Sequence, residues 1–401
     1  MAIRKPCIGL RMSKKASLKD LLTRRFKYIV GLNSGTSADG IDVALIKVEG
    51  SGQRSKVRFI KGATYGYNRA FKAKIKRYAE PDYDSARAWL ELDCELADLF
   101  ARAALRLIKS AGLKPSSIAL IGSHGQTIRH LTRTRYGSIT HQLADPARIA
   151  ALTGIVTVGD FRVADTATGG QGAPITPIAN GILFGKLPGS SAVLNIGGIA
   201  NISVIEKKRR RIKITGCDTG PGNMAIDYLS RKLFDRAIDE GGRLASKGRP
   251  NWGIISTLVK ESFFNRRGPK SAGREEFGAG YAEKIYRICK KRGLSDYDIM
   301  ATAAMLTVIG VKRCVDINRL RFDRLILTGG GMKNRYLTSG LKQVLSPVKC
   351  IAVDSLGYPG DYLEAVSFAI LANEAVNSNR YDLTTVTGSR KAIVLGKICQ
   401  P

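Results

Sequence analysis

Histidine, tryptophan and acidic residues are scarce in this chain of 401 residues: three His, two Trp, and 33 Asp plus Glu against 65 Lys plus Arg. With only His124, His130 and His141 available, a histidine-rich metal centre is not expected. Aromatic residues make up 7% of the chain, so stacking platforms for single-stranded nucleic acid are not conspicuous. The seven cysteines are scattered, odd in number and never spaced as Cys-x-x-Cys. That argues against a disulfide scaffold or a zinc ribbon and reads as reduced thiols in a cytoplasmic setting. No apolar run approaches the roughly 20 residues that a bilayer-spanning helix needs. The first 27 residues carry nine Lys/Arg and one Asp, without the apolar core of a secretory signal. They read as a basic N-terminal extension, expected to be flexible.

The shortage of acid leaves a net charge of +32. Basic residues that neutralise phosphates would release counterions, which is the usual logic of nucleic-acid binding. Here the excess is spread along the chain. Its densest cluster, residues 207–211, falls between two strand-like runs and reads as a solvated hairpin tip. Nucleic acid is therefore not expected as the main partner, whereas a basic surface would draw in anionic substrates.

At this length there is room for two domains, each with its own core. The most informative stretch is Asn33-Ser34-Gly35-Thr36-Ser37-Ala38-Asp39-Gly40-Ile41-Asp42, between apolar residues 28–32 and 43–48. It reads as strand, polar turn, strand. Small side chains, hydroxyls and backbone N–H groups suit a turn that closes on polyphosphate, with carboxylates beside it for a hydrated Mg²⁺. A plain Ser/Gly/Asp hairpin turn is the competing reading. A strand at 57–65 and an amphipathic helix at about 85–110 follow. Short strands at 118–122 and 155–158 lead into Ser123-His124-Gly125-Gln126-Thr127 and Gly159-Asp160-Phe161-Arg162. Polar glycine-containing loops at strand ends are where α/β proteins place ligand chemistry.

Past a boundary near 187–191 the opening pattern recurs: apolar 192–196, the turn Gly197-Gly198, and a returning strand at 199–205. A strand at 211–215 leads to Asp218-Thr219-Gly220-Pro221-Gly222-Asn223, and a helix starts near Met224. Residues 324–328 form a strand ending at Gly329-Gly330-Gly331, followed by a helix at 334–345, and the last helix spans about 361–376. The pattern predicts two hairpin-led α/β halves around a shared cleft. Domain I takes residues 28–187 plus about 377–401, and domain II takes 188–376. Asp218 reads either as a base at a strand end or as a pin for its own turn. Asp361 and Glu364 have the spacing of a helix capping box.

Together these motifs resemble the anhydro-N-acetylmuramic acid kinases, a branch of the ATPase superfamily of sugar kinases, actin and heat-shock chaperones. The resemblance runs from Tyr28 to Leu395. It also rests on residues 122–130 (GSHGQTIRH), 169–174 (GGQGAP), 267–271 (RGPKS), 328–331 (TGGG) and 363–365 (LEA). It implies two actin-like, ribonuclease H-like α/β domains around a central cleft for ATP and sugar. The activity implied is ATP-dependent opening of a 1,6-anhydro sugar with phosphorylation of O6, using ATP and Mg²⁺, in cell-wall sugar recycling. Asp218 is then the catalytic base and Glu364 orients the attacking water. Residues Gly35, Thr36, Ser37, Ala38, Asp39, Gly40, Ile41 and Asp42 would hold nucleotide phosphates. Gly197 and Gly198 would oppose them, with Gly329, Gly330 and Gly331 beside a helix N-terminus at the adenosine or α-phosphate. Ser34, Thr36, His124, Arg129, Asp160 and Arg162 would line the sugar site. Members of the family often form dimers, so a homodimer is also an expectation. Asn33 stands where the family commonly has Met, which bears on sugar preference. The alternatives are a kinase of another anhydro sugar such as levoglucosan, and a non-catalytic sugar- or nucleotide-responsive binding protein.

Overall fold

The computed structural model describes residues 23–401 apart from 36–37, 81 and 209–210, and apart from the side chains of 132, 133, 208 and 211. The predicted opening hairpin is formed by β1 (Phe26–Ser34) and β2 (Gly40–Glu49), paired antiparallel with Asn33 opposite Asp42. Both strands are apolar on both faces, as suits central strands buried from two sides. β3 (Lys56–Gly66) alternates exposed and half-buried positions and closes the sheet edge. On the other side of β1 come β4 (Ile118–Thr134) and β6 (Thr157–Gly159), both parallel. β5 (Gly137–Leu143) folds back on β4 as a hairpin, and the terminal β12 (Lys397–Cys399) pairs with β6.

The second sheet repeats this plan. β7 (Ser191–Ile196), β8 (Ile199–Lys208) and β9 (Arg211–Pro221) form an antiparallel meander. β10 (Arg324–Thr328) and β11 (Lys349–Ala352) add in parallel on the far side of β7. Leaving aside the β5 hairpin arm and the terminal β12, the first sheet runs β3-β2-β1-β4-β6 and the second β9-β8-β7-β10-β11, the same order 3-2-1-4-5. That is the ribonuclease H-like, actin-like arrangement, present twice.

Helices cover the sheets where apolar periodicity meets apolar strand faces. α1 (Arg69–Tyr78) and α2 (Ala86–Ser110) follow β3. The side chain of Ser85 accepts from Ala88 N to start α2, whose Leu92, Leu96, Phe100 and Leu107 lie fully buried. They pack on Val30, Leu32, Val43 and Leu45. The alternate strand residues Ile29, Ala44 and Ile46 face the opposite layer, formed by α3 (Pro177–Phe184) and the late helix 363–376. The second sheet is covered by α4 (Asn223–Phe234), α5 (Asp296–Ile317) and α6 (Arg335–Val344), with Leu194, Ile202, Leu229, Leu306 and Leu337 in one core. No helix among the described residues is long and apolar enough to cross a membrane.

α7 (Leu363–Val376) decides the geometry of the site. Its sequence position falls within the span 188–376 read as the second unit, yet it packs on β1, β2 and β4 of the first sheet. Two glycines paired in register, Gly31 and Gly122, admit it. A Cβ at Gly31 would meet Ala365 O at 1.8 Å, and one at Gly122 would meet Phe368 O at 2.1 Å. Helix backbone thus lies directly on sheet backbone, which strand glycines permit. Gly31→Ala is expected to cost about 3 kcal/mol through overpacking, because backbone rather than a flexible side chain must move. A urea-denaturation midpoint unchanged from the parent would contradict it.

Candidate active site

Asp218 lies near the end of β9, 7% exposed. Its N–H donates to Lys270 O (2.9 Å), and its Oδ2 accepts from Ala272 N (2.8 Å). The carboxylate is thus held by the remote segment 267–272, not by its own Gly-Pro-Gly turn. Lys270 anchors that segment, with its ammonium buried, donating to Phe263 O (2.9 Å) and lying over the Phe263 ring. Burial pushes the Asp218 carboxyl up to about 7, against hydrogen bonds from Ala272 and Ser271 and the charge of Arg162.

Arg162 is the cation facing this carboxylate. It follows β6, and burial brings its guanidinium down to about 10, while the charges of Glu364, Asp218 and Asp165 act the other way. Nε donates to His124 Nε2 (3.0 Å) and Nη1 to Gly172 O (3.3 Å). Because His124 Nε2 is the acceptor, the ring proton sits on Nδ1, 3.1 Å from Gly125 O. Burial, then Arg162, hold His124 well below its ordinary range, so it is neutral. Its ring packs on Phe368 of α7. His130, buried beside Arg162, is pushed down to about 4 by the same causes, and neither ring nitrogen meets a partner. Asp160, two residues before Arg162, is paired with Lys397 of β12 (2.8 Å).

Glu364 sits in the first turn of α7. Its Oε2 accepts from Asn33 Nδ2 (2.7 Å) and its Oε1 from Asn195 Nδ2 (3.1 Å). Asn33 is on β1 and Asn195 on β7, each two residues before its hairpin glycine, so one carboxylate is gripped by equivalent positions of the two sheets. The capping box suggested by the sequence does not form. Tyr362 is the N-cap without a side-chain bond, and Asp361 pairs with Lys333 (2.7 Å). Asp42, cross-strand from Asn33, accepts from Thr64 Oγ1 (2.6 Å). Burial pushes its carboxyl up to about 6, with Glu364, Asp361 and Asp39 adding to the effect.

The profile of the anhydro-N-acetylmuramic acid kinase family matches residues 27–401. The chain belongs to that family. A relative from Caldanaerobacter subterraneus subsp. tengcongensis, named anhydro-N-acetylmuramic acid kinase, is 39% identical over 93% of this chain and 96% of its own. One of the same name from Salinibacter ruber is 35% identical over 96% and 99%. Among solved structures, Acidaminococcus fermentans (R)-2-hydroxyglutaryl-CoA dehydratase component A aligns with TM-score 0.47 and 13% identity, over 88% of this chain and 99% of that one. Members of this kinase family are phosphotransferases, and the chain is an enzyme of that class.

For an anhydro-N-acetylmuramic acid kinase the hairpin turns are the expected phosphate contacts. Ser34 Oγ lies 2.6 Å from Gln126 Oε1 and 2.8 Å from Gly40 O, and Gln126 Nε2 donates to Gly35 O (3.2 Å). Ala38 is buried in the left-handed region with φ 53°, Ile41 is in the core, and Asp39 pairs with Lys72 of α1. Thr36 and Ser37 lie outside the described residues, as do residues 209–210 of the basic cluster and residues 1–22. In the second hairpin, Gly197 O accepts from Asn223 N (2.8 Å) and Gly198 O from Gly222 N (3.0 Å). These bonds occupy the first donors of α4.

Gly329 is required where it stands, at φ 78° with a Cβ position 2.4 Å from Asn195 Oδ1. Gly330 is free of such crowding, its nearest neighbour being Asn223 Nδ2 at 3.6 Å. The triplet leads into a short 3₁₀ turn (Gly330–Lys333), and α6 starts only after Asn334, whose side chain accepts from Leu337 N. Gly329 thus caps the 3₁₀ turn, and α6 follows where the sequence places a helix.

Asp218, Arg162, His124, Glu364 and Asp42 form one connected group. Arg129 stands apart: its guanidinium donates to the carbonyls of Ala79, Glu80 and Tyr83 and lies over Trp89. Sequence reasoning missed Asn33 and Asn195 as partners of Glu364, and Ala272 and Ser271 as partners of Asp218. The matched run 267–271 was the available signal for the last pair. A cavity of about 670 Å³ lined by Lys186, Pro188, Ser190, Glu206 and Lys207 shares no residue with this group.

Proposed function

We propose that the enzyme opens 1,6-anhydro-N-acetylmuramic acid with water and ATP, giving N-acetylmuramic acid 6-phosphate and ADP. The observation carrying this reading is a buried carboxyl near neutrality, Asp218, with a buried guanidinium, Arg162, on which a second, oriented carboxylate, Glu364, also acts. In its ionised form Asp218 takes a proton from water as that water's oxygen bonds to the anomeric carbon. The C1–O6 bond breaks, and its electron pair carries O6 to the γ-phosphorus, from which ADP leaves. Glu364 orients the water. Arg162 steadies the charge on Asp218 and, with the unpartnered ring of His130, offers polar contacts to the sugar. Ser34 and Asp160 complete the proposed sugar side, and the two hairpins with the glycine triplet hold the nucleotide.

Among the described residues no three His, Cys, Asp or Glu side chains lie close enough to ligate a metal together. The carboxylates around Asp42 instead fit an ion held by nucleotide phosphates and water. Mg²⁺ bound in that way would neutralise the polyphosphate charge. The two sheets with their helices are read as the two domains of the cleft, α7 grouping with the first.

Mass spectrometry of the product formed from the anhydro sugar and ATP in ¹⁸O-water tests the reaction. Label at the anomeric hydroxyl, with unlabelled oxygen bridging C6 and phosphorus, is the expected result. Label in the phosphoryl group, or ADP formation without sugar phosphate, would overturn the coupling.

A further inference from the structure

The geometry points to Asn33 as the positioning residue for the Glu364 carboxylate, an inference that rests on the water-orienting role proposed for Glu364. A glutamate at an exposed helix start turns about three side-chain bonds and has no fixed direction of its own. Here each of its oxygens is bonded by a different amide: Asn33 Nδ2 at 2.7 Å and Asn195 Nδ2 at 3.1 Å. The two donors are not equivalent. Asn195 belongs to the second sheet, so its bond spans the two halves. Asn33 belongs to β1, on which α7 is laid backbone to backbone through Gly31. Asn33 is 3% exposed, and buried packing leaves its amide little freedom. Its bond to Glu364 therefore travels with the carboxylate through any movement of one sheet relative to the other, and it is also the shorter of the two bonds. Asp42 across the strand cannot take over this task, being itself an acidic group whose charge opposes that of Glu364.

The test is a double-mutant cycle on the full-length enzyme with anhydro-N-acetylmuramic acid and ATP. Asn33→Leu keeps the size and removes the donor, and Asn33→Ala removes it without adding apolar bulk. Both are expected to lower kcat about 10- to 100-fold, with KM for ATP and for sugar within about twofold of the parent. In a Glu364→Gln background the Asn33 substitutions should add nothing further to the loss in kcat. A residue that merely supports the fold would depress both backgrounds equally, so multiplying effects, or an unchanged kcat in the single variants, would overturn the assignment. Either variant that melts like the parent suffices for the comparison, and failure of both to fold would equally overturn it by making Asn33 a packing residue. Parent enzyme that turns over no anhydro sugar would instead remove the underlying reaction, a result distinct from any difference between variants.

Discussion

Asp218→Asn is expected to lose about a thousandfold or more in turnover while gaining stability above neutral pH. The activity loss is of the size general-base removal produces. An amide oxygen can still accept from Ala272 N, so the clamp on segment 267–272 persists and nucleotide binding should too. The stability gain follows from the raised carboxyl. Between the ordinary carboxylate range and pH 7, the folded chain retains a proton on Asp218 that the unfolded chain has released. The stability linked to that proton is fully present at acid pH and is lost as pH rises through about 7. Asparagine cannot ionise, so the variant escapes this loss, worth up to roughly 4 kcal/mol for a shift of this size. Thermal melts at pH 5 and pH 8 should show the gap between variant and parent widening toward pH 8. The parent's kcat/KM should rise with pH through a midpoint near 7. Retained turnover in the variant would remove Asp218 from the base role, and a gap that narrows with pH would refute its buried, near-neutral state.

Arg162→Met should be the most damaging single change to stability within the site, by about 3–5 kcal/mol, because it leaves buried carboxylates without their cation. It also strips His124 Nε2 and Gly172 O of a donor. Its kinetic signature is separable from misfolding. Arg162 favours the ionised form of Asp218, so its loss should move the acid limb of kcat/KM from about 7 to higher pH. Arg162→Lys keeps the charge but not the planar fork, so it should restore the midpoint more fully than the stability. A limb that stays at 7 in the Met variant would detach Arg162 from the base.

Several elements were legible because their cause is local. The apolar strands and the Ser/Gly/Asp turn between them dictate the hairpin of β1 and β2, and the three- and four-residue spacing of Leu92, Leu96 and Leu107 dictates α2. The base role of Asp218 came from the match of residues 218–223 to the family motif, since the local arrangement alone suits a pin for its own turn equally well. What surrounds it was not legible. Ala272 lies 54 positions from Asp218, and Asn33 lies 331 from Glu364. No periodicity relates residues so far apart. The Asp361–Glu364 spacing looked like a cap because capping is local, but Lys333, Asn33 and Asn195 offered those carboxylates better partners. Arg129 appeared suited to substrate on residue type, whereas the fold gives it the carbonyls of Ala79, Glu80 and Tyr83.

The amino-acid sequence alone determined the strands, the hairpin turns, their repetition and the family, since each depends on side-chain type and short-range spacing. Only tertiary structure decided which face α7 would cover, which partners would hold Glu364, and that Asp218 would sit buried opposite Arg162. Those outcomes depend on burial and on donors brought together across hundreds of residues. The free energy of a charge is set by what surrounds it in space.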